Sequence, residues 1–164
     1  VSMLIATAIT VDADFQAVSV IFAFMLAVLL LAVVFVAIAV SVSAFAGSTF
    51  AAAIGGFSFF VLFQFAWRGL IFLLRYVANG FETPALGAEA PTWAEFLLIV
   101  NPMTGWEQAT RWLLNRVSDQ ETPQQAQQAA EAFYLEPWFG FIVLAVWIVV
   151  PLVIGYLRFE SSDL

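Results

Sequence analysis

The longest stretch of the chain without a charged residue lies between Asp14 and Arg68 and is mostly apolar. A single membrane-spanning helix needs ~20 apolar residues, so this stretch can hold two spans and a turn. The small, turn-prone residues that interrupt it are Ala46, Gly47, Ser48 and Thr49. Polarity does not alternate with a period of two, so the pattern favours helices over membrane strands. The pattern predicts a helical hairpin with spans at residues 16–44 and 50–76.

A further apolar segment, residues 137–157, predicts the last span. It begins beside Trp138 and ends at Arg158, and aromatic and basic residues anchor spans at membrane interfaces. Pro151 lies in the last third of this span and is expected to kink it. The residues after Arg158 are expected to form a short solvated tail.

The beginning of the chain is also apolar. Residues 1–9 are interpreted as the last turns of a helix, and residues 10–14 as a short polar connection to the next span. The first residue is Val1, and we expect a chain that enters in the middle of a membrane protein. The prediction is one all-α, polytopic membrane domain over residues 1–164, with three complete transmembrane helices and the end of another.

The segment from residue 78 to 136 differs in character, because Pro and Gly interrupt it and it carries most of the acidic residues. Asn79 and Gly80 are expected to stop the preceding helix. A Thr followed three residues later by Glu or Gln is typical of a helix start. This spacing occurs three times and predicts helices that begin at Thr92, Thr104 and Thr122.

These short helices are expected to lie outside the membrane core. The apolar run at residues 96–100 is too short to cross a bilayer, so its helix dips into the membrane or lies on its surface. Trp93, Trp106 and Trp112 are then expected at the membrane interface. The acidic residues require the segment to face water for much of its length.

The composition agrees with a membrane protein, because 63% of residues are hydrophobic and 10% are charged. The absence of Cys and His removes thiolate chemistry, imidazole bases and the usual zinc sites. Without Lys there is no phosphate-binding loop of the usual type, and no hydrolase motif occurs. We therefore predict no enzyme activity, no catalytic or metal-binding residue, no cofactor and no nucleic-acid partner.

The charge balance is acidic, with 12 acidic and 5 basic residues, and every basic residue is Arg. A Lys-free, acidic and Ala-, Val- and Phe-rich composition resembles membrane proteins of haloarchaea, whose carboxylates stay solvated in concentrated salt. A basic partner is the alternative explanation for the acidity.

Small residues recur at a spacing of four at the start of the second span, at Gly47, Ala51 and Gly55. Small residues at this spacing allow two helix backbones to approach closely in a membrane. The stripe predicts either packing against neighbouring helices of the same chain or a contact between two copies of the protein.

Several aromatic residues and two Arg follow in the same span. Phe60, Phe63 and Trp67 share a helix face, which favours either lipid and core contacts or the lining of an apolar cavity. Arg68 is expected either to reach the headgroups near the end of the helix or to face a substrate.

The layout resembles the permease subunit of ABC-2 type transporters, in the branch of the permease for nitrous oxide reductase maturation. The resemblance rests on the hairpin with its small-residue turn and on the long segment with the Asn101-Pro102 step. It also rests on the aromatic-Arg-Phe-Glu tail that begins at Tyr156. It covers the whole chain and corresponds to the C-terminal half of a six-helix permease.

The resemblance implies a homodimer that forms the substrate path and binds cytosolic ATPase subunits, which supply the energy. It places the second span of this chain near the dimer axis. It also places the turn at Ala46, Gly47, Ser48 and Thr49 on the cytosolic side, facing the ATPase, and residues 78–136 outside. The few Arg residues agree only partly with that orientation, because Arg68 and Arg75 lie toward the outside. The alternative function is a non-transport scaffold that assembles or anchors an extracytoplasmic enzyme.

Overall fold

The computed structural model describes residues 2–83, 90–118 and 133–162. Within these ranges the chain is helical between short turns and has no strand, which confirms the predicted all-α fold. The predicted helix that begins at Thr122 lies outside the described residues.

Three described helices are long and apolar enough to cross a membrane, namely Phe15–Phe45, Thr49–Ala78 and Phe139–Ser161. They are called the first, second and third span below. They form a multi-pass membrane protein.

Helix α1 runs without a break from Ser2 to Phe45, and the first span is its C-terminal part. The polar connection predicted at residues 10–14 is therefore wrong, because these residues continue the helix. No Pro or Gly lies there, and short polar residues weaken a helix without ending it.

The predicted turn between the first two spans is confirmed. Helix α1 ends at Phe45, and Ser48 caps the next helix by accepting a hydrogen bond from the Ala51 backbone N–H at 3.2 Å. We call this end of the molecule the turn end. The opposite end, where the second span ends and two short helices follow, is called the hairpin end.

The second span consists of α2 (Thr49–Val61), a π-helical turn (Leu62–Ala66) and α3 (Trp67–Ala78). The sequence did not predict the π turn. The span ends as predicted at Asn79 and Gly80, where Gly80 has a φ of 72° and can adopt it without strain.

Two short helices follow, α4 (Thr92–Val100) and α5 (Pro102–Ser118). Helix α4 begins at Thr92 as predicted, although Pro91 is its cap residue and no side chain caps it. Helix α5 begins two residues before the predicted Thr104, because Asn101 is a good cap and Pro102 suits the first helical position.

Helix α6 (Phe139–Ser162) contains Pro151 and carries the third span. The chain after Arg158, where a short solvated tail was predicted, continues the helix to Ser162. A short 3-10 turn, Phe133–Leu135, precedes α6.

Glycines mark where the helices cross closely. A Cβ added at Gly105 of α5 would lie 2.8 Å from Val143 of α6, and one added at Gly155 would lie 2.9 Å from the Ser41 Cα of α1. The buried apolar core lies between the spans and α5, and its members are Val34, Ile38, Phe63, Ala109 and Leu144. Helix α6 is therefore packed against α5 near the hairpin end and against α1 near the turn end.

Candidate functional site

The two short helices α4 and α5, with Asn101 between them, are called the α4–α5 hairpin below. This hairpin reaches the middle of the second span. Asn101, at its tip, contacts Phe63, which lies midway along Thr49–Ala78. Phe63 is roughly 21 Å from Thr49 along the helix axis. Because the apolar core of a bilayer is ~30 Å thick, the tip lies at membrane depth.

The end of α4 shows how the hairpin is held. The last four carbonyls of any α-helix have no partner within the helix, and in α4 they belong to residues 97–100. The Trp67 indole N–H donates to the Leu97 carbonyl at 2.9 Å, and the Trp147 indole N–H donates to the Val100 carbonyl at 2.7 Å. Two unpaired carbonyls at membrane depth are thus satisfied by side chains of the second and third spans.

A third indole joins the hairpin to the first span. The N–H of Trp106 in α5 donates to the carbonyl of Ala27 at 2.8 Å, and Ala27 is 0% exposed. A carbonyl has two lone pairs, so the Ala27 oxygen can accept this bond in addition to a helical one. The indole of Trp106 is turned into the bundle, and the predicted position of Trp106 at the membrane interface stays a prediction.

The fourth connection is made by Asn101, which is 4% exposed and uses both ends of its amide. Its Oδ1 accepts from the Met103 backbone N–H at 2.8 Å and so caps α5. Its Nδ2 donates to the Phe63 carbonyl at 3.0 Å. Phe63 lies within the π turn, where the backbone is wider than in an α-helix.

Together these contacts tie the hairpin to all three spans. We call the side chains that make them the polar clasp, and they are Trp67, Asn101, Trp106 and Trp147. Each donates a hydrogen bond to a backbone carbonyl of another helical element. The clasp therefore fixes the positions of the spans relative to one another near the hairpin end.

The residues predicted to line a cavity are divided between the core and the surface. Phe63 is buried and lies 5.4 Å from the Trp67 ring and 4.7 Å from the Trp147 ring, measured between centroids. Phe60 is 39% exposed and contacts Phe35 of the first span. The structure brings Phe63 and Trp67 together within the bundle, and the lining of a cavity stays a prediction.

The residues of the predicted small-residue stripe also differ in their surroundings. A Cβ added at Gly55 would lie 2.6 Å from a Val42 methyl of the same chain, whereas Gly47 has nothing within 4 Å. Ala51 is exposed. Gly55 therefore packs within one chain, and a contact between two copies remains a prediction for Gly47 and Ala51.

Polar groups on the outer surface of the second span are few. Gln64 lies beside the midpoint of the span with its side chain exposed, and Arg68 is exposed one helical turn later. No described residue hydrogen-bonds the Gln64 amide or pairs with Arg68. An amide without a partner in lipid is costly, so this surface is suited to contact with something other than lipid tails.

A comparison with protein families agrees with this architecture. The sequence model described as ABC-2 family transporter protein matches residues 1–164, the whole length of the chain. The chain belongs to the ABC-2 transporter family. No curated protein and no solved structure matches it. As a member of the ABC-2 family it is a membrane component of a transporter, and its spans agree with that role.

Sequence reasoning missed the polar clasp, although the signals were present. Trp147 lies in an otherwise apolar span, and a buried indole N–H usually requires an acceptor. The Asn101-Pro102 step ends α4 and leaves its last carbonyls free to accept. The pairing of particular indoles with particular carbonyls depends on the crossing of the helices, which the sequence does not encode locally.

Proposed function

We propose that this chain is the permease subunit of an ABC-2 type transporter and forms the substrate path, while a separate cytosolic ATPase supplies the energy. The observation that carries the proposal is the family match over the whole chain, joined to a bundle of three spans. Among the described residues there is no group of His, Cys, Asp or Glu that could hold a metal ion.

We propose that the ATPase binds at the turn end, at Ala46, Gly47, Ser48 and Thr49. A Cβ added at Gly47 would meet nothing within 4 Å, and Ser48 caps the helix that follows the turn. The turn joins the first two spans directly, so a push on it is transmitted to both helices.

A cross-linking experiment tests this contact. Ser48→Cys in the full-length protein should form a cross-link with the ATPase subunit through a short bifunctional reagent. Asn79→Cys, at the opposite end of the second span, is the matched control and should form none. A cross-link from position 79 and none from position 48 would reverse the orientation and remove the proposed contact.

The second proposed partner is another copy of the permease, in contact through exposed residues of the second span. Gln64 supports this, because its amide is both donor and acceptor and can pair with the same side chain across a two-fold axis. Ala51 is exposed in the same span nearer the turn end, and Gly47 lies in the turn that precedes the span. Amide side chains that hydrogen-bond across helices, and small residues that allow close approach, each favour helix association in a membrane.

Three finer proposals rest on the sequence. We propose that the chain belongs to the branch of the nitrous oxide reductase maturation permease and corresponds to the C-terminal half of a permease.

The acidic, Lys-free composition supports adaptation to concentrated salt. Purified protein that keeps its fold in molar salt and loses it in dilute buffer would support the salt adaptation, and equal stability in both would contradict it.

A further inference from the structure

We propose that the bundle is divided along the membrane normal into a rigid hairpin-end half and a pivoting turn-end half. The pivots are the π turn at Leu62–Ala66 and Pro151, which lies within the continuous helix α6. The pivoting parts are α2 and the portion of α6 that follows Pro151, and they move against the unbroken α1. This inference goes beyond the proposed function and does not depend on it.

The hairpin-end half is rigid because hydrogen bonds hold it. The clasp connects α4 and α5 to the first span at Ala27, to the second at Phe63 and Trp67, and to the third at Trp147. The donors lie within the bundle, where water does not compete for the acceptors. Separation of any span from the hairpin would leave a carbonyl without its partner at membrane depth, which is unfavourable.

The turn-end half is held differently. Val42 packs against Gly55, Ser41 against Gly155, and the Arg158 guanidinium lies 5.9 Å from the Phe45 ring. Among residues 34–58 and 151–158 no hydrogen bond joins one span to another. Contacts between apolar side chains and glycines permit sliding, because no directional bond must break.

The π turn and Pro151 lie where the clasp stops. The π turn contains Phe63, the acceptor for Asn101, and it separates α2 from α3. Pro151 lies one turn beyond Trp147, the clasp residue of the third span. Pro and π turns are the usual causes of bending in helices. Two of the three spans can therefore bend just beyond the last hydrogen bond of the clasp.

Distances between spin labels in the full-length protein test this division. The chain has no native cysteine, so labels report only the chosen positions in it. One pair, Phe72→Cys with Ile142→Cys, spans the hairpin-end half, and the other, Ile54→Cys with Leu157→Cys, spans the turn-end half. All four native side chains are exposed. In lipid nanodiscs without nucleotide, we expect the turn-end distance distribution to be about twofold wider than the other.

Trp147→Phe provides the decisive variant, since it keeps the aromatic ring and removes the N–H that reaches Val100. We expect it to widen the hairpin-end distribution to the width of the turn-end one. Trp138→Phe is the matched control, because the indole of the exposed Trp138 donates to the nearby Glu136 carboxylate and to no other helix, and it should change neither distribution.

Equal widths for the two pairs in the parent protein would overturn the division, whatever Trp147→Phe does. A hairpin-end distribution that stays narrow in Trp147→Phe would overturn the role of the clasp. The parent comparison needs no variant of a clasp residue and no ATPase, so its result is independent of whether the protein transports a substrate.

Discussion

Replacement of Gly140 by Ala tests how closely α5 is packed on the third span. A Cβ at position 140 would meet the Gly105 carbonyl oxygen and would lie 2.6 Å from the Ala109 nitrogen, whereas ordinary contact begins at 3.4 Å. Both atoms belong to the backbone of α5, which cannot turn aside as a flexible side chain can. The two helices must therefore move apart at their crossing.

The movement lowers the free energy of unfolding because it separates closely packed groups. Overpacking of a close-packed core typically costs ~1–3 kcal/mol, and a clash with backbone places this variant toward the upper part of that range. The same movement separates Val143 from Gly105, which are so close that a Cβ added at Gly105 would lie 2.8 Å from a Val143 methyl. We expect a loss of about 2–3 kcal/mol, which for a protein of this size corresponds to a midpoint lower by roughly 5–10 °C.

The assay is thermal unfolding of the full-length protein in detergent micelles, followed by Trp fluorescence. Gly69→Ala is the control, because Gly69 lies in α3 with nothing within 4 Å of an added Cβ. Ala favours a helix over Gly by ~0.5–1 kcal/mol, so this control should unfold at the parent temperature or slightly above it. If Gly140→Ala also unfolds at the parent temperature, α5 is not packed on α6 as the structure describes.

Three further predictions follow from the same contacts. Asn101→Ala removes the cap of α5 and the donor to the Phe63 carbonyl, and should lower the free energy of unfolding by about 2 kcal/mol in the same assay. An unchanged midpoint would contradict the role of Asn101. Ala51→Leu should reduce cross-linking between two copies without reducing membrane insertion, because Leu overpacks a close helix contact but is readily solvated by lipid. An unchanged cross-linking yield would show that Ala51 is not at a dimer contact. Glu107→Cys should react with an impermeant thiol reagent on intact cells and Ser48→Cys should not, and the reverse pattern would invert the topology.

The spans were predictable because their signal is strong and local. Long apolar stretches predict membrane helices, and the small residues before Thr49 and the Asn79-Gly80 pair mark the ends of the second span. The start of the helix that carries the first span was not predictable from apolar length alone. The polar residues at 10–14 look like a connection, yet without Pro or Gly they remain helical.

The tertiary contacts were not predictable in the same way. Asn101 and Pro102 do signal the start of α5, and weighing cap preference above the Thr104–Glu107 spacing would have placed it correctly. The π turn has no Pro or Gly within it, and its contact with Asn101 depends on a residue far away in the chain. The packing of Gly55 against Val42 likewise depends on the crossing of two helices.

The central claim is that the chain is the membrane subunit of a transporter driven by a separate ATPase. Gentle extraction of the tagged full-length protein from its native membrane, followed by native mass spectrometry, tests it most directly. We predict a complex of two permease copies with two ATP-binding-cassette subunits. Recovery of the permease alone, or with an extracytoplasmic enzyme and no ATPase, would contradict the claim and favour a scaffold.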